Sequence, residues 1–157
     1  MCVEHSHTVL ENAQRSLMIP LCQAGAIPFR NTGSKREFLL VTSHRGNWIF
    51  PKGVVQPGDT PESTALKETQ EEAGVLGAIL PGPLGSYGDR KWNRDYEVQV
   101  FLLEYSGDSD SWEERHLRHR RWCTYEDALR LIKKPEVRTL LEGAQGRLAR
   151  MAAKSTN

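Results

Sequence analysis

Hydrophobic positions change their spacing several times along the chain, and each change marks an expected element. "LCQAGAIPF" (Leu21 to Phe29) and "EFLLVTS" (Glu37 to Ser43) are apolar runs of strand length. The turn-rich "RNTGSKR" between them predicts a hairpin. Trp48 to Phe50 is a shorter apolar run, stopped by Pro51. Thr60 is placed to cap a helix that Pro61 opens at its first position; Glu62 suits the positive end of the helix dipole, and Gly74 ends the segment. "YEVQVFLLEY" (Tyr96 to Tyr105) alternates and then turns apolar on both faces, as a central strand does. "RRWCTYEDALRLIKK" passes from a strand into a helix capped near Thr124, and the residues after Pro135 predict a terminal helix. Strands mixed with helices in this order predict an α/β sandwich.

The helix opened by Pro61 carries a concentrated load of acid. At about 100° per residue, Glu68, Glu71 and Glu72 fall within roughly 100° of arc, while Leu66, Thr69 and Ala73 gather on another side and are expected to face the core. Like charges at three- and four-residue spacing cost an isolated helix about 0.2 to 0.5 kcal/mol per pair, which a solvated surface tolerates. An exposed acidic face is therefore one reading. The other comes from the preceding loop, where Gly53, Pro57 and Gly58 allow backbone carbonyls to approach the carboxylates. Carboxylates with backbone carbonyl make a hard, oxygen-only site suited to Mg²⁺ or Mn²⁺.

Composition narrows the class. At 157 residues, with 38% hydrophobic and 26% charged, the chain fits one domain with a single core and has no apolar run near the ~20 residues of a membrane span. The first residues, "MCVEHSHTVLENAQR", lack the order of a secretory signal, so a soluble, cytoplasmic protein is expected. Cys2, Cys22 and Cys123 are few, odd in number and unpatterned, which argues against a zinc ribbon or a disulfide scaffold. Residues 1–15 are expected to form a flexible arm, with His5 and His7 as tail residues, and 16–152 a single domain. A net charge of +1 sets up no overall field towards nucleic acid or membrane. Locally, acid concentrates in Asp59 to Glu72 and Asp108 to Glu114, and base in Arg90 to Arg94 and Arg115 to Arg121.

The acids also sit in a longer register. Gly53, Asp59, Lys67, Glu68, Thr69, Gln70, Glu71, Glu72, Ala73, Gly74 and Val75 stand at the spacings of the Nudix hydrolase box, which this segment resembles. Asp59 stands where that family has Glu, Lys67 where it has Arg, and Thr69 where it has an apolar residue. The resemblance extends from about Gln23 to Leu141 and is closest to the branch of diphosphoinositol polyphosphate and diadenosine polyphosphate hydrolases. It implies the Nudix fold, an α/β/α sandwich with a mixed β-sheet. It also implies a metal-dependent pyrophosphohydrolase acting on phosphoric anhydrides in a small phosphorylated substrate. By the same resemblance Glu68 and Glu72 would bind metal, Glu71 would be the general base or a further ligand, and backbone at Lys52 or Gly53 would complete the shell. Which glutamate is the base varies within the family.

The resemblance further assigns phosphate contacts to Arg45, Lys52, Arg90, Lys91, Arg94 and Arg120. Arg90, Lys91 and Arg94 are read as a loop between two strands, and Trp92 either stacks on a base or closes that loop. Glu113 and Glu114 are read as an exposed acidic loop, with an extra acid outside the box as the alternative, and His116 and His119 as solvated. The diphosphoinositol enzymes that the chain resembles carry basic residues entering the first strand and tend to have a glycine run before the box. Here Leu21 to Gln23 are neutral and the run reads "FPKG", as in diadenosine polyphosphate hydrolases, so by that resemblance a dinucleoside polyphosphate is the expected substrate. A diphosphoinositol polyphosphate is the alternative. A non-catalytic phosphate-ligand domain and an RNA-binding module using "RHLRHRR" are the readings from other classes; among nucleic acids only capped RNA remains a candidate partner. Oligomeric state is not legible.

Overall fold

The computed structural model describes residues 21–155. Its centre is an eight-stranded sheet whose main path runs β3-β2-β1-β7-β5. The apolar runs supply β1 (Leu21–Thr32), β2 (Lys35–Thr42) and β7 (Arg94–Asp108), and short strands β3 (Trp48–Ile49) and β4 (Lys52–Val54) follow the first hairpin. β1 lies parallel to β7 and antiparallel to both β2 and β4, so the sheet is mixed as expected. The first hairpin is tighter than the turn-rich sequence suggests: pairing continues to Thr32↔Lys35, leaving Gly33 and Ser34 as the turn.

Alternation along the three long strands divides the core into two layers. Ile27, Phe29, Phe38, Leu40, Val98, Val100 and Leu102 face one side. There they are covered by α2 (Tyr125–Leu131) through Ala128, and by α3 (Pro135–Ser155) through Val137, Leu141, Ala144 and Leu148. Ala24, Ala26, Leu39, Val41, Phe101 and Leu103 face the other side, towards α1 (Pro61–Ala73). Fully burying side chains of this size contributes about 1.5 to 3 kcal/mol each before entropy is counted. The result is the expected α/β/α sandwich, and no described helix is long and apolar enough to cross a membrane.

β4 lies where a loop was expected, and β5 (Val75–Ile79) was not expected at all; β6 (Gly85–Lys91) is the strand implied ahead of the basic loop, with no bounds legible in the sequence. Both β5 and β6 pair antiparallel with β7. β6, "GSYGDRK", has little intrinsic strand preference and is ordered by its long partner. Arg90 and Lys91 thus end a strand and Arg94 opens the next, so the expected basic loop contracts to a two-residue turn, Trp92 and Asn93. Cys22 is disulfide-bonded, and Cys123 is a buried free thiol. The expected arm and residues 16–20 lie outside the described residues.

α1 begins and ends as its sequence predicts. Thr60 and Ser63 form a reciprocal capping box, Pro61 is at the start, and Gly74 closes the helix at φ 67°. Its buried face is rotated from the expected one. Ala65, Thr69 and Ala73 face the sheet, Leu66 remains 37% exposed, and Glu72 is only 6% exposed. Small residues let the helix sit close, and the Thr69 hydroxyl bonds back to Ala65 O at 2.7 Å, so Thr at this position buries no orphan donor.

Gly74 also allows a neighbouring segment to dock. A Cβ there would stand 2.6 Å from Trp112 Cγ. We expect Gly74→Ala to lose at least about 1–2 kcal/mol in urea unfolding, from the left-handed backbone alone and more from the clash. Gly107→Ala, whose Cβ would meet nothing within 4 Å, serves as the control. Equal midpoints for the two variants would contradict this.

Candidate active site

The acidic face of α1 forms the floor of an open cleft of ≈ 920 Å³ whose lining includes Glu68, Glu71 and Glu72. Such a volume suits a ligand larger than a single phosphate. β4 sets the inner wall. A Cβ at Gly53 would lie 2.2 Å from Glu68 Cδ, so only a glycine lets that carboxyl group rest against the strand. The neighbouring Lys52 N–H donates to Glu72 Oε2 at 3.3 Å.

Glu72 is the most constrained of the three. Trp112 Nε1 donates to its backbone carbonyl at 2.8 Å, and Glu114 N–H donates to Glu71 O at 3.0 Å, fastening residues 112–118 to the last turn of the helix. From that segment Arg118 reaches Glu72 Oε1 at 3.3 Å, with both side chains less than 10% exposed. The same guanidinium donates to Thr42 O at 2.7 Å. Its Nε lies 3.3 Å from Glu114 Oε1, an ion pair without the alignment of a hydrogen bond.

Arg118 was not expected here, and Glu114 only under the alternative of an extra acid outside the box. The opposite charges at i and i+4 were the one available signal. Arg120, expected at the substrate, instead turns to the C-terminal end of α1. It donates to Ala73 O at 2.7 Å, packs over Trp112 at 4.4 Å and approaches Asp108 at 3.6 Å, outside the cleft. Both arginines of "RHLRHRR" that turn inward are therefore engaged within the chain, which removes them from any exposed RNA-binding stripe. Glu113 and Glu114, read as a solvated loop, line the cleft, whereas His116 and His119 stay exposed.

The other basic candidates divide as follows. Arg45, Lys52, Arg90 and Lys91 line the cleft; Arg94 is exposed and does not. Arg90 is paired to Asp95 at 2.8 Å across the hairpin, and at such exposure the pair contributes little. Lys52 Nζ reaches Asp89 at 2.8 Å and Gln23 Oε1 at 3.0 Å, and Lys134 reaches the other Asp89 oxygen at 3.0 Å. Burial opposes ionisation of Asp89, but the hydrogen bonds from Lys52 and Lys134 outweigh it and hold its carboxyl below the usual range.

Lys67 and Asp59, two of the departures from the box, meet each other at 3.7 Å on the surface. Neither displaces one of the three glutamates. The donor set accordingly fits a divalent cation: several carboxylate oxygens, partly desolvated, lie against one strand's backbone. Among the described residues no three acidic, histidine or cysteine side chains converge tightly enough to form a cage as they stand. Glu72 is paired with Arg118.

Desolvation governs the protonation of this floor. Burial, then the charge of Glu71, pushes Glu68 up to about 7. Burial pushes Glu72 up to about 8 against the opposing guanidinium of Arg118. Burial, then Glu113, also raises Glu71. A carboxyl raised on folding binds a proton that the unfolded chain has released, so its contribution is full below the unfolded value and is lost as pH rises through the folded one. We expect the thermal midpoint of metal-free protein to fall from about pH 5 to about pH 8, and Glu72→Gln to flatten that slope. A slope unchanged by the substitution would contradict the assignment.

Comparison with known proteins agrees with this geometry. The NUDIX domain family matches residues 22–143. Diphosphoinositol polyphosphate phosphohydrolase 3-alpha of Mus musculus is 32% identical over 115 residues, covering 71% of this chain and 68% of that protein. Mitochondrial Nudix hydrolase 12 of Arabidopsis thaliana is 33% identical over 118 residues, covering 69% of this chain and 58% of that protein, so the chain spans less than two thirds of this relative. Among solved structures, a binary complex of the C. elegans Ap4A hydrolase superposes with a TM-score of 0.73 at 26% identity, over 82% of this chain and 98% of that one. With the family match spanning most of the sequence and the box glutamates gathered on one cleft floor, the chain belongs to the Nudix family.

Proposed function

We propose that this chain hydrolyses a phosphoric anhydride within a nucleoside polyphosphate, in a reaction that depends on Mg²⁺ or Mn²⁺. The observation that carries the reading is the floor itself: Glu68 and Glu72 lie desolvated against the β4 backbone with Glu71 beside them on the same helix face, beneath a rim of cationic side chains. Glu68, Glu71 and Glu72 would hold the cation, with β4 backbone at Lys52 or Gly53 beside them. When bound, a divalent cation supplies the positive charge that draws phosphoryl oxygens onto an otherwise acidic surface. A glutamate with a raised proton affinity is suited to accept the proton of an attacking water near neutral pH. Arg45, Lys52 and Lys91 hold the phosphates that do not react, and Arg118 keeps Glu72 from swinging into their path.

The pairing of Lys67 with Asp59 weakens the case for a silent, ligand-binding domain, because the altered box positions satisfy each other and leave the acids intact. For the substrate, the wall at β1 favours a linear polyphosphate. Gln23, neutral and 4% exposed, accepts from Lys52 where a densely phosphorylated ring would call for further cations. The likeness to the C. elegans Ap4A hydrolase supports a dinucleoside polyphosphate. The curated relatives named for diphosphoinositol polyphosphates favour the second reading.

Hydrolysis is expected to require added Mg²⁺ or Mn²⁺, and Glu71→Gln or Glu72→Gln to lower turnover by at least about a hundredfold. Full activity of Glu72→Gln at saturating metal would contradict the site. In side-by-side kinetics at equal Mg²⁺, a diadenosine polyphosphate should show the higher kcat/KM. A clear preference for a diphosphoinositol polyphosphate would select the second reading.

A further inference from the structure

Four tryptophans occur in the sequence, and the fold absorbs three of them. Trp48 packs against the main core, Trp112 donates to Glu72 O, and Trp122 meets the Tyr105 ring edge-on at 5.0 Å beneath the Arg30 guanidinium. Trp92 is different. It is 73% exposed, and it occupies the first position of the β6–β7 turn with φ 51°, followed by Asn93 at φ 61°.

Two-residue hairpin turns with positive φ at both positions favour Asn, Asp and Gly. A bulky side chain there carries a backbone cost that those residues avoid, and an exposed indole forgoes the gain of burial. Folding therefore selects against Trp92 twice. Local strain of this kind is a reason to look for a role outside folding.

The position supplies one. Trp92 lines the same cleft as Glu68, Glu71 and Glu72, at the end of the hairpin that carries Arg90 and Lys91. The Lys91 ammonium sits 4.2 Å from the indole centroid, so a cation that can meet phosphate lies beside an open aromatic face. We propose that Trp92 is a specificity-determining platform on which a planar heteroaromatic group, a nucleobase, stacks while its phosphates run past Lys91 towards the glutamates. This deepens the nucleoside polyphosphate reading and rests on it for the course of the phosphates, but stacking is measurable without hydrolysis.

The test uses the full chain and AMP as probe, with ribose 5-phosphate as the base-free control. The difference in tryptophan emission between the parent and Trp92→Phe isolates this indole. AMP should quench that difference signal and ribose 5-phosphate should not. In kinetics, Trp92→Ala should lower the selectivity for a diadenosine polyphosphate over inorganic tripolyphosphate about tenfold, mainly through KM, and Trp92→Phe should recover most of the loss. Trp92→Asn should show the same lost selectivity with an unchanged or higher urea midpoint, since Asn suits the turn. The proposal is overturned if AMP leaves the difference signal unmoved and selectivity survives Trp92→Ala, or if Trp92→Asn loses stability and weakens both substrates alike. AMP quenching in a protein that cleaves no anhydride would retain the platform and reject the hydrolase reading.

Discussion

The site depends on where one carboxylate is forced to sit. Glu72 lies at the seam between the acidic face of α1 and the face that packs on the sheet, because the helix approaches through Ala65, Thr69 and Ala73 rather than through larger residues. A buried carboxylate without partners is costly, and this one is met from three sides. Lys52 N–H from β4 and the Arg118 guanidinium hold its oxygens, while the Trp112 indole holds its backbone. Strand, helix and the 112–118 segment are thereby tied at one residue. The same segment brings Glu113 and Glu114 to the lining of the cleft.

A second constraint is electrostatic. The cleft collects acid on its floor and base on its rim, and each is only partly paired within the chain. Asp89 shows how the rim is organised: with Lys134 on its other oxygen, it fixes Lys52, a cation that would otherwise sample many rotamers. Burial is what lets the floor's glutamates hold protons near neutral pH, and at Glu72 it does so against the guanidinium of Arg118. A polyanionic substrate and a divalent cation are the pair of ligands that would satisfy both halves at once.

Much of this was legible in the sequence, and the reasons are local. Thr60, Pro61 and Gly74 define α1 by capping and backbone preference, which need no tertiary information. The fixed spacing from Gly53 to Gly74 carries the approach of Glu68 to β4, since only glycine tolerates it. The rest needed the fold. Arg118 and Arg120 are two residues apart, roughly 7 Å along extended chain. Both turn towards α1; one meets a side-chain carboxylate and the other the helix's terminal carbonyls, a difference set by how β8 (Arg120–Thr124) docks on β2. Leu66 and Glu72 exchanged their expected exposures because a helical wheel gives relative angles but not the rotation at which a helix packs. β6 was expected only without bounds, because its order comes from β7.

The central claim is that the desolvated glutamates form a divalent-cation site, and direct binding tests it without reference to any substrate. Mn²⁺ titration by calorimetry near neutral pH, repeated in two buffers of different ionisation enthalpy, reports both affinity and the protons displaced. Protons should be released on binding, because carboxyls that hold them must give them up to become ligands, and Glu68→Gln with Glu72→Gln together should abolish both binding and release. Mn²⁺ binding that persists in the double variant, or binding to the parent with no proton release, would contradict the account.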